Sequence, residues 1–391
     1  MESKKQIILK KMLTELEIPE AAYEKAVKRY EDIGEWFARE ESSLNQYDPH
    51  VFPQGSFRLG TVIKPLNGND EYDLDLSCKL RQKISKKTHT QEQVKNLVGK
   101  ELEAYRVARG IQEKLEPKRR CWRLNYQDEL KFHADIVPGI PEEQQRRAQL
   151  SEAILKSETK PFELAAETTV SITDDRNTTY RTISDDWKIS NPEGYAAWFE
   201  EKMRSQGRIT LLEKAQVDDV PTYKKKTPLQ QAVQLLKRHR DIMFEKAPDK
   251  KPISIIITTL AARAYSGEAA VGDAITSILE KMGGLVRSVK PRVPNPTDPA
   301  EDFADKWATD AALETNFKTW LVQAKADFDF LEKSNDAHLI VGRAKDRFAL
   351  VLNESDLAKS LGLSAATPKV SAPRVQVIDE NRAAKPWGDQ S

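Results

Sequence analysis

Apolar side chains recur three and four residues apart through the first forty positions, at Ile7, Ile8, Met12, Leu13 and Leu16, then at Tyr23, Ala26, Val27, Tyr30, Ile33 and Phe37. That spacing puts one buried stripe on a helix whose other faces carry charge, and it predicts helix over residues 3–43 with a break near Pro19. From about residue 51 the period changes. Glu71–Leu80 alternates charged and apolar residues, as a strand with one face on a core does. Helical spacing returns over Gln91–Lys114. Cys121–Tyr126 and Leu130–Val137 read as paired strands joined by Gln127-Asp128-Glu129, with Pro138, Gly139 and Pro141 ending the second. Asn191-Pro192 opens a helix over Ser190–Met203 with Tyr195, Trp198 and Phe199 on one side.

Residues 205–226 are polar and read as a crossing between two halves. A strong helix follows Thr227-Pro228 to about Lys246, with Leu229, Val233, Leu236 and Met243 on its inner stripe. Another begins at Ser254, and more helix is expected over 269–282, 300–333 and 355–361. From about Ala365 the chain is rich in Ala, Pro and charge, which predicts a mobile tail. The expected class is therefore a mixed α/β (α+β) first half followed by a helical second half.

Composition narrows the function. The 391 residues suit two domains, and the aromatic and aliphatic content (39% hydrophobic) is enough for a sizeable core, which excludes bulk disorder. Lys and Arg number 62 against 61 Asp and Glu, so the net charge of +1 argues against a protein that coats nucleic acid. Cys78 and Cys121 are the only cysteines, too few for a four-cysteine zinc site or a disulfide framework. The amphipathic N-terminus is unlike a signal peptide, and apolar runs as short as Ile255–Ile257 span no bilayer. A cytoplasmic protein without a membrane partner is the expectation.

Three segments carry candidate chemistry. In Gln54-Gly55-Ser56-Phe57-Arg58-Leu59-Gly60-Thr61, a Gly-Ser at the start of a short helix offers backbone N–H groups and a hydroxyl to a phosphate. In Glu71-Tyr72-Asp73-Leu74-Asp75-Leu76, residues two apart on a strand share a face, so Asp73 and Asp75 stand roughly 7 Å apart along it. Such carboxylates repel unless a cation lies between them, and hard divalent ions such as magnesium suit that arrangement. Asp135, in Lys131-Phe132-His133-Ala134-Asp135-Ile136-Val137, ends an apolar strand where it could complete a metal site, with His133 on the same face as a packing or supporting residue. The basic clusters Lys79–Lys87, Lys118–Arg123 and Lys224–Arg240 read as surface faces, Lys237 excepted.

The order Gly-Ser, Asp-x-Asp seventeen residues on, then a lone Asp on a later strand resembles the nucleotidyltransferase superfamily of DNA polymerase β. Leu235-Leu236-Lys237-Arg238-His239-Arg240-Asp241, with Pro252-Ile253-Ser254, is similar to the branch holding oligoadenylate synthase, cyclic GMP–AMP synthase and the bacterial CD-NTases. Val293-Pro294-Asn295-Pro296-Thr297-Asp298-Pro299 and Glu301–Trp307 look especially like the bacterial enzymes.

The resemblance implies a polymerase-β-like palm over 1–205 with an N-terminal helical spine over 1–50, a crossing at 206–226, a helical nucleotide-binding domain over 227–365 and a tail over 366–391. It also implies that Asp73, Asp75 and Asp135 hold two magnesium ions and carry catalysis, with Asp135 helping to deprotonate the attacking hydroxyl. Gln54, Gly55, Ser56, Lys237, Ser254 and Asn295 would bind the nucleotide, Lys237 and Ser254 through phosphates and Asn295 near the base.

The implied activity is synthesis of a cyclic di- or trinucleotide messenger from nucleoside triphosphates, ATP first and GTP as a further candidate, in antiphage (CBASS) signalling. A purine ring of the GMP–AMP kind is the expected product. Alternatives are a same-fold transferase that modifies RNA or protein, and a non-enzymatic nucleotide-binding scaffold. The animal DNA sensor of this branch carries a zinc thumb of clustered Cys and His that is missing here, which argues against zinc and against direct activation by DNA. Accessory CBASS proteins are candidate partners for the C-terminus, although Asp389-Gln390-Ser391 follows Gly388 and departs from a terminal glycine.

Overall fold

The computed structural model describes residues 2–66, 71–127, 131–157, 166–204 and 226–363. Residues 67–70, 128–130 and 158–165, nearly all of the crossing expected over 206–226 and the tail expected over 366–391 lie outside the described residues.

Helices α1 (Lys4–Leu16) and α2 (Glu20–Ala38) flank the predicted break, where Ile18 and Pro19 leave the helical conformation. Strand β1 (Pro49–Pro53) leads into the one-turn helix α3 (Gly55–Leu59), and β2 (Tyr72–Leu80) follows. Helix α4 (Gln91–Ala108) starts in a capping box of Thr90 and Gln93 and stops short of the expected Lys114, because Gly110 turns the chain at φ +66°. The short β3 (Glu116–Pro117), then β4 (Trp122–Tyr126) and β5 (Phe132–Pro141), complete the sheet centre. After α5 (Gln144–Ser157) come β6 (Val170–Ile172), β7 (Lys188–Ser190) and α6 (Pro192–Arg204).

The sheet runs β1-β2-β5-β4-β3, with β6 on the far end of β5 and β7 beyond it. Only β2 and β5 are parallel, and their register sets Asp73 opposite His133 and Asp75 opposite Asp135. Contrary to the expectation from sequence, Pro138 and Gly139 do not end β5, which runs on to Pro141. The carbonyl of Pro138 accepts from Thr173 N–H on the β6 side, so its missing N–H also faces that side, past the last residue paired with β4.

The second half contains α7 (Pro228–Met243), α8 (Ser254–Ala264), α9 (Val271–Lys281), a hairpin of β8 (Pro294–Asn295) and β9 (Asp298–Asp302), then α10 (Ala311–Lys333), α11 (Ala337–Phe348) and α12 (Glu354–Leu361). Helix expected from residue 300 begins only at Ala311. The Asp302 carboxylate accepts from the N–H groups of Arg292, Val293 and Ala304, which pins this stretch as a hairpin end, and Asp310 caps α10.

Two cores result. One holds the sheet, α2 and α4 around Tyr30, Phe37, Leu74, Leu76, Ile136 and Phe132. The other holds the helices of the second half, joined by α1 through Ile8, Leu9, Met12, Leu13 and Leu16 and by α6 through Tyr195, Trp198 and Phe199. The two N-terminal helices thus serve different cores: the first turns away from the palm it precedes.

Candidate active site

A cleft of about 640 Å³ opens between the two cores, and its walls are built from opposite charge. The palm wall begins with Gly55. Its φ of +65° suits glycine, and a Cβ there would lie 2.1 Å from Asp75 Oδ2, so the chain passes against the carboxylate at a distance no side chain permits. The N–H of Gln54 donates to the Asp75 carbonyl (2.8 Å), and Thr61 N–H closes the turn on the Ser56 carbonyl (2.9 Å).

The three acids converge as strand geometry requires. Asp73 is exposed and accepts from His133 Nε2 (2.8 Å), whose Nδ1 faces Glu71 (3.2 Å). The Asp73 hydrogen bond favours the imidazolium and raises the His133 pKa, against the opposing effect of burial. Asp135 accepts from Arg123 through both oxygens, at 2.7 Å each; this partner stands directly across the β4–β5 pair. Ligand atoms of Asp73, His133 and Asp135 lie within 4.8 Å of one another. Asp75 is half-buried, and desolvation, then the charges of Asp73 and Asp135, push its carboxyl pKa well above the usual range. A group of hard oxygen donors in which one carboxyl is held up by its neighbours suits a divalent cation.

The opposite wall is one face of α7. Gln230 Nε2 donates to the Leu59 carbonyl (3.0 Å), Gln234 Nε2 to Val62 (2.7 Å), Lys237 Nζ to Thr61 (2.9 Å) and Arg238 Nη2 to Lys64. These positions follow helical spacing, so a single helix face fastens the backbone that leaves α3. Burial, then Arg240, push the Lys237 amine down to about 8; Asp241, Asp75 and Asp73 oppose the shift. Ser254 is the first residue of α8, and its Oγ accepts from Arg240 Nη1 (2.8 Å). Arg240 and Lys251 both donate to Asp241 Oδ1.

Gly55, Ser56, Asp73, Asp75, Lys237 and Ser254 all line this cleft. Asp135 joins Asp75 from the neighbouring strand. Gln54 and Asn295 do not line it. Gln54 leans toward the Leu76 carbonyl (3.5 Å), while Asn295 donates to Glu301 (2.7 Å) and accepts from Thr297, inside its own hairpin. Sequence reasoning missed Arg123, Arg238, Asp241 and Lys251. The clusters read as surface faces place Arg238 and Arg240 in buried positions, since α7 is enclosed on nearly all sides. The unusually apolar and glutamine-rich surroundings of Lys237 were the signal available.

A mixed sheet with acids on two adjacent parallel strands, a Gly-Ser turn pressed on one of them and a cationic helix across the cleft define a polymerase-β-like nucleotidyltransferase. A c-di-GMP synthase of Roseivirga ehrenbergii is 32% identical over 334 residues, 84% of this chain and 79% of that protein. The chain belongs to the bacterial CD-NTase family and is a cyclic-oligonucleotide synthase. Residues 49–138 match the family described as cyclic GMP-AMP synthase DncV-like, nucleotidyltransferase domain. The cyclic dinucleotide synthase CdnG of Bradyrhizobium diazoefficiens is 24% identical, over 80% of this chain and 73% of that protein.

Two solved structures share the fold. CdnG in complex with GTP superposes with a TM-score of 0.63 at 19% identity, over 92% of this chain and 99% of that one. Vibrio cholerae DncV with the linear intermediate pppA(3′,5′)pG gives 0.53 at 15% identity, over 90% and 88%. Enzymes of this family work with divalent metal ions. Among the described residues, no helix is long and apolar enough to cross a membrane.

Proposed function

We propose that the enzyme condenses two molecules of GTP into a cyclic dinucleotide, with release of two pyrophosphates, as a cytoplasmic antiphage (CBASS) messenger synthase. The observation that carries this is the facing of Asp73 and Asp75 with Lys237 and Ser254 across one cleft, with Asp135 opposite Asp75 on the neighbouring strand. The choice of base follows the c-di-GMP synthase that is 32% identical and the GTP-bound CdnG of the same fold, and it replaces the GMP–AMP ring expected from resemblance alone.

In this reading Asp73, Asp75 and Asp135 would together hold two magnesium ions. The ions, when bound, would polarise the α-phosphate and offset charge on the departing pyrophosphate. The residues do the rest. Gly55 and Ser56 seat the phosphates against the palm, and Lys237 and Ser254 hold them from the helical wall. Asp135 lies at the strand position from which a carboxylate oxygen takes the proton of the attacking ribose hydroxyl. Arg123 fixes the Asp135 plane by bidentate pairing, so that carboxylate does not rotate away.

Incubation of the protein with labelled GTP and magnesium, then phosphatase digestion and mass spectrometry, tests the proposal. A phosphatase-resistant product with the mass of cyclic di-GMP from GTP alone is the expected outcome. Product that forms only when ATP is added assigns a mixed ring, and label on RNA or protein assigns a modifying transferase instead.

A further inference from the structure

Most buried cations in the described residues have a carboxylate partner. Lys5 meets Glu332, Lys86 meets Glu142, Lys95 meets Asp175 and Arg240 meets Asp241. Arg238 is 3% exposed and makes no ion pair among the described residues. One nitrogen, Nη2, reaches the Lys64 carbonyl, and Nε is buried with no hydrogen-bond partner. A guanidinium taken out of water with an unused donor is costly unless an anion arrives to meet it.

The same residue lines the nucleotide cleft beside Lys237. Consecutive helix positions diverge by roughly 100°, so the two cations point to different parts of the cleft. Asp241 acts on both cations, and Asp75 and Asp73 act on Lys237 in addition. Their backbone anchors, Thr61 and Lys64, are three residues apart, which allows up to about 10 Å of separation. Arg238 therefore lies farther from the acids than Lys237 does.

We propose that Arg238 is a substrate-binding residue that seats the terminal phosphates of the incoming nucleoside triphosphate, farther from the acid cluster than Lys237. This rests on the nucleotide reading of the cleft and adds a second cationic seat to it. The α-phosphate must lie at the acids for reaction, so the β- and γ-phosphates extend away from them, toward the unpaired guanidinium. Its planar fork can bind phosphate oxygens in pairs where a lysine offers a single point of charge.

Thermal shift and equilibrium binding separate this role from a structural one. Three ligands are compared in magnesium: inorganic tripolyphosphate, an α,β-methylene GTP analogue that cannot release pyrophosphate, and GMP. Arg238→Gln retains an amide to donate to the Lys64 carbonyl but loses the charge. It is expected to bind tripolyphosphate and the GTP analogue at least tenfold more weakly, to bind GMP within about twofold of wild type, and to melt no lower than wild type without ligand. Arg238→Lys should recover part of the triphosphate affinity. Equal affinity of Arg238→Gln and wild type for the analogue would overturn the proposal. So would a variant with a lowered ligand-free Tm that loses GMP and the analogue alike, the mark of a residue that only ties the loop. Wild-type protein unmoved by any of the three ligands would instead remove the nucleotide reading of the cleft itself.

Discussion

The two walls of the cleft meet their charge in different ways. On the palm wall, acids stand close together on two strands, with Arg123 and His133 partly offsetting Asp135 and Asp73 while half-buried Asp75 lies in the field of its neighbours. On the helical wall, Lys237 and Arg238 are held by backbone carbonyls alone, and the cationic side chains with a carboxylate share Asp241. One wall thus holds excess negative charge and the other excess positive charge. The contrast teaches that neither wall neutralises its own charge. Substitutions that neutralise either wall should therefore lower activity without lowering stability.

The largest effect is expected at Asp75. Asp75→Asn removes a carboxylate whose charge is already disfavoured, so product formation should fall by about a thousandfold, corresponding to several kcal/mol of lost transition-state stabilisation. Its Tm should hold or rise, and near-normal turnover with a lowered Tm would break the comparison at its strongest point.

Gly55→Ala tests the contact rather than the charge. A methyl group would meet Asp75 Oδ2 at 2.1 Å with φ at +65°, so stability should drop by roughly 2–5 kcal/mol and activity with it. A variant as stable as wild type, measured by denaturant unfolding, would show that Asp75 has room to move.

Lys237→Met should raise KM for nucleotide on the order of tenfold or more, with little change in Tm. The wild-type amine also predicts a pH dependence. Its folded pKa, about 8, lies below the ordinary 10.5, so the folded protein gives up this proton first. Folding stability from this group rises between about pH 8 and 10.5 while the cation is lost, and kcat/KM should fall as pH passes 8. Burial, then Arg240, lower this pKa, and Asp241, Asp75 and Asp73 oppose them. An alkaline limb that persists unchanged in Lys237→Met would assign it elsewhere.

The smallest effect on activity is expected at Asn295. Its side chain is spent within the β8–β9 hairpin, so Asn295→Ala should cost about 1–3 kcal/mol of stability while leaving KM for nucleotide within about twofold. A tenfold change in KM at unchanged Tm would bring this residue back to the substrate.

The acids were legible in sequence because their arrangement is local: a strand repeats every two residues, and Asp73 and Asp75 need no other information to share a face. Asp135 needed only a second strand. Its partner Arg123 was not legible, because which residue faces Asp135 depends on the β4–β5 register, a property of the assembled sheet. The α7 wall was half legible. Lys237 came from the family resemblance, and the inner stripe of Leu229, Val233 and Leu236 left out Gln230 and Gln234, both fully buried against carbonyls of the palm. Helical spacing was found across α1 and α2 alike. That they diverge to different cores at Pro19 rests on contacts with residues far along the chain.

That divergence fixes an order of events during synthesis. Helix α1 packs against α7, α9, α10 and α12, the first of which begins more than two hundred residues after α1 ends. At about 5–20 residues per second, its apolar stripe leaves the ribosome roughly 10–40 s before any of those helices exists. Helix α1 is thus among the last elements to reach its place, and Ile8, Leu9 and Met12 await a core whose other helices are made much later.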